Sequence, residues 1–114
     1  MTNCIFCRIV AGELPADEVA SSPLTFACRD INPAMPTHVL VVSREHIPSA
    51  DSLLAEHGPV LAEMMQTAQT VARSEGVAER GYRLVFNVGD DALNSVPHLH
   101  MHVLGGRRME WPPG

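Results

Sequence analysis

Residues 98–104 alternate with strict period two: His98, His100 and His102 stand between Leu99, Met101 and Val103. In an extended strand successive side chains point to opposite faces, so the sequence predicts a strand over 96–104 with three histidines on one face and an apolar face beneath. Neighbouring histidines on that face would lie about 6.5 Å apart, a span that suits a small anion between two rings or a metal beside a reacting centre. The same patterning places shorter strands at 18–22 and 25–31 around Ser22-Pro23, a buried β-branched strand at 37–43, and another strand at 82–88. Two segments carry helical spacing instead. Ile5, Phe6, Ile9 and Val10 predict a short helix with Asn3 as N-cap and Gly12 as its end, with Cys4 and Cys7 on one face. Leu54, Val60, Leu61, Met64, Met65, Ala68, Val71 and Ala72 predict one long helix, capped at Asp51 or Ser52, ending near Ser74 and closed by Gly76. Gly58-Pro59 marks either a break in that helix or its true start. The pattern is α+β: an antiparallel sheet of about five strands, one long helix packed on it, and a short N-terminal helix.

Composition narrows the function classes. At 114 residues and 46% hydrophobic content the chain is expected to be one domain, residues 1–114, with one core. A net charge of −5 argues against sequence-independent binding of nucleic acid, which needs a basic footprint, but leaves room for a mononucleotide. No apolar run has the length of about 20 residues that spans a bilayer, so no membrane association is expected. The start at Thr2-Asn3-Cys4 lacks a charged and then apolar leader, and three cysteines, an odd count, suit reduced thiols. Both point to the cytoplasm.

The His98–His102 alternation resembles the mark of the histidine triad (HIT) superfamily of nucleotide hydrolases and transferases. Two further stretches carry the resemblance: Cys4-Ile5-Phe6-Cys7-Arg8-Ile9-Val10-Ala11-Gly12-Glu13-Leu14-Pro15-Ala16 is similar to the N-terminus of the Hint branch, and Pro36-Thr37-His38-Val39-Leu40-Val41-Val42 to its central strand. The close, from Gly105-Gly106-Arg107-Arg108 to Trp111-Pro112-Pro113-Gly114, looks like the Hint C-terminus. The resemblance implies the HIT-like fold and a purine nucleoside phosphoramidase. Such an enzyme splits the P–N bond of AMP–amine conjugates through a covalent nucleotidyl-histidine. The alternatives are a dinucleoside polyphosphate hydrolase, a nucleotidylyl transferase, or a nucleotide-binding interaction module with little activity. His102 stands where the uridylyltransferase branch has glutamine, which favours hydrolysis.

By resemblance His100 is the nucleophile, oriented through its other ring nitrogen, most cheaply by a backbone carbonyl. His102 contacts the α-phosphate, His38 comes from the neighbouring strand, Ser95 donates to the phosphate or the leaving atom, and Asn87 adjoins them. Asp30 grips the ribose hydroxyls, while Ile31 and Leu40, with Val19, form an apolar slot for the base. Taken singly these residues have plainer readings: His38 as a core histidine, Ser95 as a loop cap, Asn87 and Asp30 as turn residues. The resemblance also implies a structural zinc on Cys4, Cys7, His46 and His98; no organic cofactor is implied. By spacing alone Cys4-x-x-Cys7 is a weak signal that redox motifs share, and its plainer reading is two unligated thiols. Cys28 reads as a small core residue and His57 as solvent-exposed. The family further implies a homodimer whose tail brings Trp111 to the partner's site, with a purine mononucleotide such as AMP as ligand. Leu93 departs from the family, which often has glycine there, and a leucine reaches positive φ at a cost.

Overall fold

Thr37–Ser43 (β3) is buried at every position, and its run of Val39, Leu40, Val41 and Val42 can be satisfied only in the middle of a sheet covered on both sides. In the computed structural model, which describes residues 3–114, that is where it lies. Glu18–Ser21 (β1), Thr25–Arg29 (β2), β3, Tyr82–Val85 (β4) and His100–Gly105 (β5) form one five-stranded antiparallel sheet in the order β1-β2-β3-β5-β4. Val39 faces Val103 and Val41 faces Met101 across the β3–β5 pair, while Leu40 faces His102 and Val42 faces His100. One face of these two strands is therefore aliphatic and the other carries the histidines.

The aliphatic face packs on Gly58–Ser74 (α2). Val39, Val41, Leu99, Met101 and Val103 from the sheet meet Val60, Met64, Ala68 and Val71 from the helix in one buried cluster. The helix starts five or six residues later than the expected cap at Asp51 or Ser52. Ser49 caps a 3-10 turn at Ala50–Ser52, a second such turn spans Ala55–His57, and Pro59 then sits in the first turn of α2. Proline lacks the amide hydrogen that a helix interior requires but is tolerated there, so Gly58-Pro59 is the true start. His57 is not solvent-exposed: its side chain is 14% accessible, its Nδ1 accepts from the Leu54 amide at 2.9 Å and its Nε2 lies 3.4 Å from Glu45. At the other end Val77 donates to the Ala72 carbonyl and Gly76 to that of Arg73, a Schellman closure that needs the positive φ of Gly76 (75°).

The opposite face is shorter of cover. Ile5–Val10 (α1) lays Phe6 over Phe26, Cys28, Leu40 and Val42. Cys4, rather than Asn3, occupies the N-cap, and its sulfur accepts from the Cys7 amide at 3.4 Å. β5 begins at His100 rather than at 96, because Pro97 supplies no ladder donor and the chain turns there: His98 donates to the Val96 carbonyl, and Leu99 donates to that of Ile47 instead of joining a regular pair. β4 and β2 likewise end before Asn87 and Asp30, so both residues stand just past strand ends. Cys28 is buried, as a small core residue should be, and burial followed by the charges of Asp30 and Asp17 pushes its thiol up to about 11.

Arg29 at the end of β2 grips Glu75, the C-cap of α2, through both guanidinium nitrogens at 2.5 and 2.8 Å. The Arg29 hydrogen bond holds the Glu75 carboxyl below its usual range. A carboxyl depressed in the folded state stabilises above its unfolded pKa, and that stability is lost as pH falls through the folded value. Glu75→Gln is expected to cost about 0.5–1 kcal/mol at pH 7 by urea denaturation, with the difference from wild type vanishing in acid.

Candidate active site and metal cluster

Five of the expected residues converge on the histidine face. His38 from β3 and His102 from β5 meet with Nε2 and Nδ1 2.8 Å apart. Asp30 Oδ2 lies 3.4 Å from the same His38 nitrogen, Asn87 Nδ2 lies 3.4 Å from His102 Nε2, and the His100 and His102 ring centroids are 5.2 Å apart. Partners fix the protons. The Ala34 amide donates to His38 Nδ1 at 2.9 Å, so the proton of neutral His38 is on Nε2, where it donates to His102 Nδ1. With His102 Nδ1 accepting, the proton of neutral His102 is on Nε2. His100 Nδ1 lies 2.7 Å from the His98 carbonyl oxygen and donates to it, leaving the Nε2 lone pair free. Burial, reinforced by the charges of His100 and His38, pushes His102 down to about 4, so it is neutral at physiological pH.

The first triad histidine does something else. His98 precedes β5, is 1% exposed, and turns its ring between Phe6 and His46, with centroid separations of 5.8 and 4.9 Å. Three histidines lining one open strand face is therefore not the arrangement: only His100 and His102 line it, and His98 is a buried wedge. Its Nε2 donates to the Ser43 carbonyl at 2.7 Å. That bond leaves Nδ1 unprotonated, 3.1 Å from Cys4 Sγ, 3.5 Å from Cys7 Sγ and 3.1 Å from His46 Nδ1. Cys7 Sγ is 3.2 Å from His46 Nδ1, and all four atoms lie within 4.8 Å of one another. Tetrahedral zinc would place two sulfurs and two ring nitrogens about 3.3–3.8 Å apart, and the donor set has the sulfur–nitrogen chemistry that zinc takes. Burial, then the hydrogen bond and charge of neighbouring Cys4, push the Cys7 thiol up, a pairing of sulfurs that a cation between them relieves.

Asp30, His38 and His102 also bring three ligand-type atoms within 4.8 Å. They do not suit a metal. The Ala34 amide occupies His38 Nδ1 and holds the proton on Nε2, the atom that would have to ligate. The two clusters differ in which ring nitrogen the backbone claims.

The remaining expected residues are dispersed. Leu40 is buried in the floor beside Cys28, whereas Ile31 is 91% exposed at the rim. Val19 packs with the α2-side cluster and lines no slot with Leu40. Ser95 is exposed and lines a cavity of about 510 Å³ with Asn3, Cys4, Ile5, His46, Val96 and Pro97. Trp111 is 83% exposed, and the tail is tied along β4 by Arg83, which donates to the Glu110 carbonyl. Three contributors escaped the sequence. Phe6 packs on His100 at 4.9 Å, but its pattern says only apolar helix. Ala34 and Ser43 act through backbone atoms, which no side-chain motif reveals. Asn94 is a fourth: its Oδ1 is buried with no partner, beside Leu93 at φ 62°.

The HIT domain model matches residues 11–109, and the chain belongs to that family. It is 43% identical over 103 residues to a purine nucleoside phosphoramidase of Escherichia coli K12, covering 90% of this chain and 87% of that protein. It is 41% identical over 112 residues to a 14 kDa zinc-binding protein of Zea mays, covering 96% and 87%. A HIT family hydrolase from Legionella pneumophila Philadelphia 1 superposes with a TM-score of 0.95 at 44% identity, covering 98% of this chain and all of that one. Among the described residues no helix is long and apolar enough to cross a membrane.

A pH dependence follows from His102. Below about 6.5 the unfolded chain takes a proton on this ring that the folded chain refuses until about 4. Stability is therefore full above that window and falls as pH drops through it. Urea denaturation at pH 7 and pH 5 should show a smaller acid loss for His102→Gln than for wild type, and equal losses would exclude His102 as the titrating group.

Proposed function

We propose that this protein hydrolyses purine nucleoside 5′-phosphoramidates to AMP and an amine, through a nucleotidyl intermediate on His100. The observation that carries the reading is the 2.7 Å bond from His100 Nδ1 to the His98 carbonyl, which points a free Nε2 lone pair into the site. Imidazole in that tautomer is a nucleophile at neutral pH, and the phospho-imidazole it forms is open to water. Nε2 attacks the α-phosphorus, the P–N bond breaks, and the amine leaves with a proton. Water then attacks the same phosphorus, restores His100 and releases AMP. His102 presents its Nε2–H to a non-bridging oxygen, and the Ala34–His38–His102 chain holds that proton in place. Ser95 adds a hydroxyl from the following loop once substrate draws it in. Asp30 has one oxygen engaged by the Asn32 amide at 2.8 Å and keeps lone pairs for two ribose hydroxyls, with Leu40 and Ile31 against the base. The names of the phosphoramidase and hydrolase relatives support this reading.

Cys4, Cys7, His46 and His98 would hold a zinc ion, as the donor set and the zinc-binding relative suggest. Bound there with four protein ligands it would be structural, tying α1 to the approach of β5. The chain acts as one domain, in the cytoplasm, and pairs into a homodimer that brings Trp111, exposed in the single chain, against the partner's site. No nucleic acid and no membrane take part.

Adenosine 5′-phosphoramidate, with AMP release as readout, tests the chemistry. Wild type should turn over, and His100→Ala should lose kcat by about three orders of magnitude or more while still binding AMP. Substantial turnover by His100→Ala would sink the covalent mechanism. Asp30→Asn should raise KM several-fold more for the ribonucleotide substrate than for its 2′-deoxy analogue, and equal effects would exclude the ribose role.

A further inference from the structure

We propose that Cys4 and Cys7 make the metal cluster an oxidant-released clamp on the nucleophile: a peroxide closes a Cys4–Cys7 disulfide, expels the ion, and frees His98, whose carbonyl sets the ring of His100. The inference rests on the zinc and nucleophile readings above. His98 is held from three sides. Its Nε2 donates to Ser43, its Nδ1 faces the two sulfurs and His46, and its carbonyl accepts from His100 Nδ1 at 2.7 Å. Leu99 alone separates the cluster's His98 from the reacting ring in the chain, and α1 supplies a second link through Phe6, which packs on both His98 and His100. The first triad histidine therefore transmits the state of the cysteines to the site.

The cysteines are placed to react. Cys4 and Cys7 sit at i and i+3 across the first turn of α1, with the Cys7 amide on the Cys4 sulfur at 3.4 Å and the two sulfurs within 4.8 Å. Both are only partly buried and His46 is exposed, so a small oxidant reaches them through the cavity that Cys4 and His46 line. Cys28 is buried among Phe6, Phe26, Leu40 and Val42, outside the cluster. One thiolate attacks the peroxide O–O bond, becomes a sulfenic acid and releases hydroxide. The second sulfur displaces the sulfenic oxygen as water and forms the S–S bond. The two sulfurs together lose two electrons, hydrogen peroxide takes them, and two protons complete two waters. A disulfide sulfur is a poor ligand and lies about 2.05 Å from its partner, so the tetrahedral site cannot survive its formation.

The experiment uses the full zinc-loaded chain carrying Cys28→Ala, so that only two thiols remain. Zinc content and AMP release are measured first; absence of zinc overturns the metal reading and this proposal with it, and absence of turnover overturns the nucleophile reading and this proposal with it. Hydrogen peroxide is then added. The expected result is one zinc released per two thiols lost, a mass lower by about 2 Da, and kcat down roughly tenfold or more with KM little changed. The downfield Nδ1–H proton resonance of His100 should broaden in step, and dithiothreitol with zinc should restore every readout. Cys7→Ser should show the low kcat from the start and no further response to peroxide. Zinc release with kcat and the His100 resonance unchanged overturns the clamp. Oxidation that leaves zinc in place, or that yields sulfinic acid without a disulfide, overturns the switch.

Discussion

One hydrogen bond settles more of this molecule than any other: His98 Nε2 donating to the Ser43 carbonyl at 2.7 Å, inside the protein. A neutral imidazole has one proton to place, and the end of β3 claims it. Everything on the other side of the ring follows. Nδ1 must be a lone pair, and it faces two sulfurs and a second imidazole. Turning the ring away would orphan a buried carbonyl, so this bond is one of the restraints on His98, whose own carbonyl receives the proton of His100. Burial pushes His98 down, against the contribution of the Ser43 bond, which keeps the ring neutral and able to play both parts.

The same accounting separates two clusters that composition alone would class together. Cys4, Cys7, His46 and His98 turn lone pairs toward a common centre. Asp30, His38 and His102 are as close, yet the Ala34 amide on His38 Nδ1 drives a proton into the middle of the group. One has the donor arrangement that a metal would need, and the other is a directed hydrogen-bond chain that ends at His102 Nε2. Proximity of titratable side chains does not distinguish them; the backbone donor or acceptor behind each ring does. Those backbone atoms come from the turn after β2 and from the last residue of β3, so local chain geometry assigns the chemistry of each site.

Side-chain periodicity made much of this architecture legible. The alternation Leu99, Met101, Val103 put the correct face of β5 on the core, and the β-branched run at 37–43 marked the central strand with its bounds intact. It failed where a backbone donor was missing or a turn intervened. Pro97 cannot enter the ladder, so β5 starts at His100 and His98 leaves the row of histidines. The apolar stripe of α2 reaches back past Gly58-Pro59 only through Leu54, which is exposed between two 3-10 turns that bury none of their own residues. Val19, expected in an apolar slot with Ile31 and Leu40, packs instead with the α2-side cluster, beside an irregularity between Glu18 and Ala20 in β1. The convergence of His38, His100 and His102 could be anticipated from their strands. The roles of Ala34 and Ser43 could not, because a backbone amide or carbonyl carries no residue-type signature.

The loop from Gly89 to Ser95 is where local rules are broken, and the violations coincide. Leu93 sits at φ 62° with its side chain 84% exposed, so neither packing nor sequence preference rewards that conformation, which costs a non-glycine residue about 1–2 kcal/mol. The neighbouring Asn94 buries a carbonyl oxygen with no donor in reach, which is also unfavourable. Folded cores do not retain two such costs side by side without something that offsets them. The loop leads directly into Ser95 and the triad. The strain at Leu93 and the unpaired oxygen of Asn94 therefore fall together on the segment that leads into the site, where the chain departs furthest from its local preferences.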